Sequence, residues 1–126
     1  MARLDRLPPD DDEFVRVVIE SPQGARHKLK YDPTTEAFEL KKTLPAGMAF
    51  PFDFGFIPST LGGDGDPLDS LVLMEKESFV GCLIGVRVIG VIEAEQTKDG
   101  KATRNDRLIT AAVHSLIYQE TQSIEQ

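Results

Sequence analysis

Short runs of hydrophobic residues separated by turn signals dominate the chain. The runs are rich in β-branched or aromatic residues, and clusters of Pro, Gly and Asp stand between them. This pattern predicts strands, because such short runs bounded by turn residues are typical of strands. The predicted strands cover residues 14–20, 27–32, 37–42, 71–74, 83–95 and 107–114.

Turn residues refine this prediction. The sequence DPTTE, residues 32–36, separates the second and third strands and predicts a hairpin. The long strand contains Gly85 and Gly90, where a barrel strand can bend. Residues 44–58 are too broken by Pro and Gly for a long helix and too apolar for a solvated loop, so we expect them to line a cavity.

The C-terminal segment, residues 116–126, is the part of the sequence that is compatible with a helix. Such a helix would be short and frayed. Strands without alternating long helices indicate an all-β barrel or sandwich. The predicted fold is therefore mainly β: a small closed Greek-key barrel with little helix. We expect a single domain over residues 1–126, which suits the length of the chain.

Composition and charge exclude several classes of protein. The share of hydrophobic residues, 40%, and of charged residues, 28%, is that of an ordinary globular chain. The net charge of −7 argues against nucleic acid as a partner, because polyanions are repelled unless a local basic patch overrides the mean field. No run approaches the ~20 apolar residues of a membrane helix. With no signal-peptide pattern at the N-terminus, we expect a cytoplasmic protein without a membrane partner.

The single cysteine, Cys82, excludes an intrachain disulfide and fits a reducing compartment. It lies in an apolar run, where the expected role is packing in the core.

The candidate chemistry lies in an acidic loop. Asp64, Asp66 and Asp69 fall within one tight turn that leads into the strand at Leu71. Carboxylates this close repel one another, so they are solvated, protonated or bridged by a cation, and hard oxygen ligands suit Mg²⁺, Mn²⁺ or Ca²⁺. The alternative is an acidic surface turn in which Asp and Gly serve their backbone preferences. The loop by itself leaves both interpretations open.

A calcium EF-hand does not fit this loop. Counting Asp64 as position one, Glu75 falls at position twelve, but Asp69 holds the position that needs Gly and Pro67 lies in mid-loop. Neither flank is predicted to be helical.

Residues 50–73, FPFDFGFIPSTLGGDGDPLDSLVL, resemble the signature region of the soluble family I inorganic pyrophosphatases. Residues 17–33, 85–96 and 104–115 resemble other segments of that family in the same order, so the resemblance covers nearly the whole chain. It implies a five-stranded barrel related to the OB-fold. It also implies hydrolysis of pyrophosphate to two phosphates with Mg²⁺, or with Mn²⁺ or another divalent cation in its place. Such ions lower the pKa of a bound water and neutralise phosphate charge.

The resemblance implies a role for each matching residue. Asp64 and Asp69 match metal ligands, and Asp66 matches the carboxylate that orients and deprotonates the attacking water. Glu20 matches an acidic residue that holds a further metal ion through water. The phosphate-binding residues implied in the same way are Lys28, Lys42 and Arg107.

Some positions depart from the family pattern in charge or in hydroxyl groups. Lys30 occupies the position of a family glutamate that helps to hold the metal-bound waters, so the charge is reversed there. Leu29 occupies the position of a family tyrosine. Phe50 and Phe54 also occupy positions of family tyrosines, so two hydroxyl groups that would bind water and phosphate are missing. Lys42 replaces an arginine, which keeps the charge but loses the bidentate fork.

Further departures lie toward the C-terminus. Gln96 and Asn105 occupy the positions of two metal-binding aspartates of the family. We therefore expect Asn105 or the adjacent Asp106 to complete the set of metal ligands. The chain ends soon after residue 120, where the family continues into a helix that packs on the barrel and supplies a tyrosine and a lysine. The apolar surface that this helix would cover predicts a homo-oligomer.

Three functions compete at this point. The first is an active inorganic pyrophosphatase with Asp66 as the base. The second is a catalytically impaired member of the family that binds metal or phosphate without efficient turnover, suggested by the departures. The third is an unrelated OB-type barrel that binds single-stranded nucleic acid on its phenylalanine residues, which the net charge of −7 disfavours.

Overall fold

A computed structural model describes residues 3–10, 14–61 and 66–115, apart from the side chains of Gln96 and Lys98. One short 3₁₀ helix, Leu4–Arg6, precedes the strands. The nine strands of the described residues are β1 (Val15–Ser21), β2 (His27–Asp32), β3 (Ala37–Thr43), β4 (Asp53–Ile57), β5 (Leu68–Leu73), β6 (Leu83–Ile92), β7 (Glu95–Lys98), β8 (Lys101–Arg104) and β9 (Arg107–Ala112).

Five of these strands close into a barrel in the order β1-β4-β5-β9-β6. Neighbouring strands are antiparallel except β5 and β9, which run parallel. The remaining strands form two separate hairpins, β2-β3 and β7-β8. The prediction of a mainly β, closed barrel with little helix is confirmed. Within the described residues no helix is long and apolar enough to cross a membrane.

The inside of the barrel is filled by a cluster of aliphatic side chains. Val17 and Ile19 of β1 are fully buried there, together with Val72 and Val86. Cys82 packs against this cluster from its edge, in line with the expected role. Side chains alternate along a strand, so Val18 points the other way and joins a second cluster outside the barrel.

The second cluster lies between the barrel and hairpin β2-β3. Val18 of β1, Tyr31 of β2 and Phe56 of β4 are its buried members, and the Tyr31 ring stacks on Phe56 with the centroids 5.9 Å apart. Because the hairpin covers this outer face, β1 is buried on both sides over 17–21. The near-continuous hydrophobic run of β1 is the pattern expected of such a strand.

One strand was not predicted, and one strand boundary was wrong. Residues 44–58 contain β4, a barrel strand, which Pro51 and Gly55 hid from the pattern, and Phe54 of this segment lines a pocket, as expected of these residues. The long strand predicted over 83–95 ends at Ile92, and the chain then forms hairpin β7-β8. The predicted tail helix, 116–126, lies outside the described residues.

Asp53 is a fully buried carboxylate at the start of β4. Its Oδ1 accepts a hydrogen bond from the Gln23 backbone N–H at 3.1 Å, and its Oδ2 accepts one from the Ser78 backbone N–H at 2.9 Å and another from the Ser78 hydroxyl. Three donors offset the cost of burying this group. Asp53 therefore ties two connecting segments to the barrel.

Gly55 marks the closest approach of β4 to β1. A Cβ atom at this position would lie 2.0 Å from the carbonyl oxygen of Val18, a backbone atom that cannot move without shifting the strand. Gly85 of β6 is a useful comparison, because a Cβ atom there would meet the Val113 side chain at 3.4 Å.

We predict that Gly55→Ala destabilises the protein by at least about 2 kcal/mol, because β1 and β4 must separate to admit the methyl group. Gly85→Ala should change stability by no more than about 1 kcal/mol, since its neighbour is a side chain at contact distance. Urea unfolding of both variants measures the difference. Equal stabilities would show that the two strands separate at little cost.

Candidate active site

A pocket of about 360 Å³ opens between the outer face of the barrel and hairpin β2-β3. Its charged residues are three basic side chains, Lys28, Lys30 and Arg107, and three acidic ones, Glu20, Asp66 and Asp69. Leu29, Phe54, Thr103 and Asn105 complete the lining. Charges of both signs thus meet in one cavity, although the loop and the lysines lie far apart in sequence.

Strand alternation and strand pairing bring these side chains together. Glu20 lies two residues after Val18, so it shares the outer face of β1. Asp69 of β5 is the Cα partner of Phe56 on one side and of Arg107 on the other. Since β5 and β9 are parallel, their first residues lie at the same edge of the barrel, and Asp69 and Arg107 become neighbours.

Glu20 is a buried carboxylate with only 5% of its surface exposed. Its Oε2 accepts a hydrogen bond of 2.7 Å from the Tyr31 backbone N–H. Burial raises the pKa of Glu20 to about 7, and the charge of Asp69 adds to this, while the Tyr31 hydrogen bond and the charges of Lys30 and Lys28 act in the opposite direction. Near neutral pH this group is therefore poised between its protonated and ionised forms.

Lys30 reaches from β2 to the acidic loop. Its Nζ lies 3.0 Å from Oδ2 of Asp66, and both side chains are about half exposed, at 47% and 52%. Burial acts to lower the pKa of Lys30, but the hydrogen bond to Asp66 and the charges of Asp66, Asp69 and Glu20 outweigh it and raise the pKa. The charge reversal seen in the sequence thus places a cation directly on Asp66.

Arg107 is held over an aromatic ring. Its guanidinium carbon lies 5.8 Å from the ring centroid of Phe54, which in turn lies 6.2 Å from the ring of Phe50. The contact is a cation–π interaction that orients the guanidinium in the pocket. Phe54 thus positions Arg107 through its ring, which requires no hydroxyl group.

Lys28 and Lys42 are directly opposite each other on the hairpin. Side chains of such cross-strand partners share one face, and like charges there repel. Lys28 lines the pocket, whereas Lys42 does not. The structure therefore places Lys28 in the site and Lys42 beside it.

Asn105 and Asp106 differ in position. Asn105 lines the pocket. Asp106 accepts hydrogen bonds at 3.0 Å from the Ala94 backbone N–H and from Arg104, and these contacts lower its pKa. The structure does not bring Asp106 to the pocket, because both its oxygens stabilise the connection between hairpin β7-β8 and the barrel. The expectation that Asp106 ligates a metal ion is not supported, and Asn105 is the better candidate.

Two features of the site were not predicted from the sequence. Thr103 lines the pocket from β8, a segment in which no strand was predicted, and no sequence signal marks it. The Lys30–Asp66 ion pair was missed as well, although the charge reversal at Lys30 was the signal that could have suggested it. Asp64 and the side chain of Gln96 lie outside the described part of the structure.

Glu20, Asp66 and Asp69 offer the carboxylate oxygens that Mg²⁺ and Mn²⁺ prefer, so the donor chemistry fits a hard divalent cation. Within residues 3–10, 14–61 and 66–115, however, no three acidic, histidine or cysteine side chains are arranged to hold a metal ion. The Lys30 ammonium lies at one Asp66 oxygen instead. A cation could bind there if Lys30 moved aside and the acidic loop contributed a further ligand.

The closed barrel and its pocket of mixed charge define a small β-barrel protein with a site suited to a phosphate-like anion. The sequence model of the family described as inorganic pyrophosphatase matches residues 17–126, so the chain belongs to the inorganic pyrophosphatase family. The family match excludes the alternative of an unrelated OB-type barrel.

Individual relatives agree with this assignment. The inorganic pyrophosphatase of Thermus thermophilus is 46% identical over 104 residues, which cover 81% of this chain and 59% of the relative. That of Synechocystis is 34% identical over 122 residues, 96% of this chain and 70% of the relative. A crystal structure of inorganic pyrophosphatase from Thermus thermophilus matches 98% of this chain and 70% of its own with a TM-score of 0.88 at 36% identity. The chain thus has the family's OB-like barrel and spans about six tenths of the Thermus relative's length.

The titration of Glu20 predicts a pH dependence of stability in chelator-treated protein. Its pKa is about 7 in the folded state and 4.5 when unperturbed. The folded state therefore binds the Glu20 proton more tightly, and this stabilisation is complete below the lower value and is lost as the pH rises through 7. The loss amounts to about 3 kcal/mol.

Glu20→Gln keeps an oxygen that can accept the Tyr31 hydrogen bond but cannot titrate. As the pH rises from about 5 to about 8, we expect the free energy of unfolding to fall less in this variant than in the wild type. Glu93→Gln, an exposed carboxylate, serves as the control. Urea unfolding in the presence of a chelator gives the free energies. The same pH slope in wild type and Glu20→Gln would contradict the assignment of this titration to Glu20.

Proposed function

We propose that this chain hydrolyses inorganic pyrophosphate to two phosphate ions, with Mg²⁺ or another divalent cation in its place as cofactor. The observation that carries the proposal is the meeting of three basic and three acidic side chains in one pocket of about 360 Å³. The relatives named above, which are called inorganic pyrophosphatases, support the substrate. Hydrolysis needs both a clamp for phosphate oxygens and a base for water, and this pocket offers both.

The basic side chains bind the substrate in this proposal. Arg107, oriented by the Phe54 ring, donates hydrogen bonds from its guanidinium fork to two oxygens of one phosphate. Lys28 contacts the other phosphate from the opposite wall. Together they hold the pyrophosphate in place and stabilise the charge that develops on the leaving phosphate.

The acidic side chains activate the water. Asp66 accepts its proton as a general base once Lys30, which lies at one of its oxygens, has moved aside. Asp66 and Asp69, with Asp64, would hold the cation, and Glu20 would hold water around it. A bound divalent cation lowers the pKa of a coordinated water and neutralises charge on phosphate oxygens.

Binding without efficient turnover is the second candidate function. The specific observation in its favour is the Lys30–Asp66 ion pair, which engages the proposed base, and the absence of hydroxyl groups on Phe50 and Phe54 points the same way. Such a protein would still bind phosphate on Lys28 and Arg107.

The expected homo-oligomer remains a proposal. Val88, Val91 and Ile92 of β6 are exposed, and an apolar strip of this kind favours association with a second surface. The expected cytoplasmic location also stays a prediction.

Replacing Asp66 by Asn tests the hydrolysis. We expect phosphate release from pyrophosphate, measured with Mg²⁺, to fall by at least about 100-fold, since a general base contributes that much or more. Asp99→Asn is the matched control, because Asp99 lies in the β7-β8 turn at a positive φ of 54° that Asn also adopts. A wild-type rate equal to that of Asp66→Asn would exclude the enzymatic function and leave the binding function.

A matched pair of lysines tests the phosphate clamp. We predict that Lys28→Gln weakens binding of methylenediphosphonate, a non-hydrolysable pyrophosphate analogue, by about tenfold, since a charged hydrogen bond is lost. Lys42→Gln removes the same charge beside the pocket and should weaken binding of the analogue less than about threefold. Isothermal titration calorimetry gives both dissociation constants. If the two variants bind equally well, Lys28 makes no direct contact.

A further inference from the structure

Lys30 lies where two cavities meet. The pocket of about 360 Å³ adjoins a second one of about 230 Å³, and Glu20, Lys30, Asp66 and Asp69 line both. The Lys30 ammonium is 3.0 Å from Asp66 Oδ2. This lysine is therefore surrounded by the carboxylates that a divalent cation would use.

The Lys30–Asp66 pair differs from a local surface ion pair. Lys41, on the same hairpin, contacts Glu39 two residues away along its own strand. Lys30 instead spans from β2 to the loop before β5, 36 positions along the chain, and its pKa is raised by all three carboxylates. The contact thus joins the hairpin to the acidic loop.

Two cations compete for one carboxylate in this arrangement. A single and a double positive charge about 4 Å apart repel each other enough, even in water, to weaken binding by more than about tenfold. Release of Lys30 from Asp66 removes that repulsion. It costs little, because a half-exposed ion pair contributes at most about 1 kcal/mol.

We propose that Lys30 is a built-in competitor of the divalent cation: Lys30 must be displaced from Asp66 before the cation binds, and this lowers the cation affinity of the site. The inference deepens the proposed function and rests on it in one respect, the use of Asp66 and Asp69 as cation ligands.

Isothermal titration calorimetry of the metal-free protein with Mn²⁺, in the absence of pyrophosphate, tests the proposal by giving the dissociation constant of Mn²⁺. We expect Lys30→Gln to bind Mn²⁺ up to about fivefold more tightly than the wild type, because an ion pair worth at most about 1 kcal/mol no longer has to be broken. Lys30→Arg keeps the charge and should stay within about twofold of the wild type. Lys76→Gln removes an exposed lysine outside both pockets and should change the affinity less than about twofold.

The outcomes separate this inference from the proposed function. Equal Mn²⁺ affinity in wild type and Lys30→Gln, or weaker binding by the variant, would overturn the role of Lys30 and leave the hydrolytic function standing. If neither protein binds Mn²⁺, the cation site fails, and with it both proposals. Thermal unfolding monitored by circular dichroism verifies that each variant is folded, which the half-exposed position of Lys30 leads us to expect.

Discussion

Side chains alternate between the two faces of a strand, and in this barrel both faces are in use. Val17 and Ile19 fill the inside, while Val18 and Glu20 of the same strand face hairpin β2-β3. Among the described residues, aliphatic side chains fill the interior. The charged pocket therefore lies outside the barrel wall, and it exists because the hairpin folds over that wall.

The parallel pairing of β5 and β9 decides which charges meet there. It makes Asp69 and Arg107 neighbours, although 38 positions separate them in the sequence. An antiparallel pairing would carry their side chains to opposite ends of the barrel. The carboxylates in turn draw Lys30 across the cavity, so the pocket contains three charges of each sign.

Glu20 shows how packing and chemistry are linked at this site. Tyr31 packs on Phe56 through its ring and donates its backbone N–H to Glu20, so the second hydrophobic cluster also fixes a carboxylate of the pocket. Burial beneath the hairpin raises the pKa of Glu20 to about 7. A cation in the pocket would favour the ionised form, which links the charge of Glu20 to occupancy of the site.

The sequence by itself determined the fold class and most strands, because short hydrophobic runs such as 14–20, bounded by turn residues, are local features of the chain. It also singled out Asp66, Asp69, Glu20 and Lys28, through residue type and family resemblance, as members of one site. Only the tertiary structure decided that β4 is a strand, that Asp106 accepts hydrogen bonds from Ala94 and Arg104, that Lys42 lies beside the pocket and that Lys30 contacts Asp66. These features depend on pairing and on distances between segments remote in sequence, which no local pattern of residues encodes.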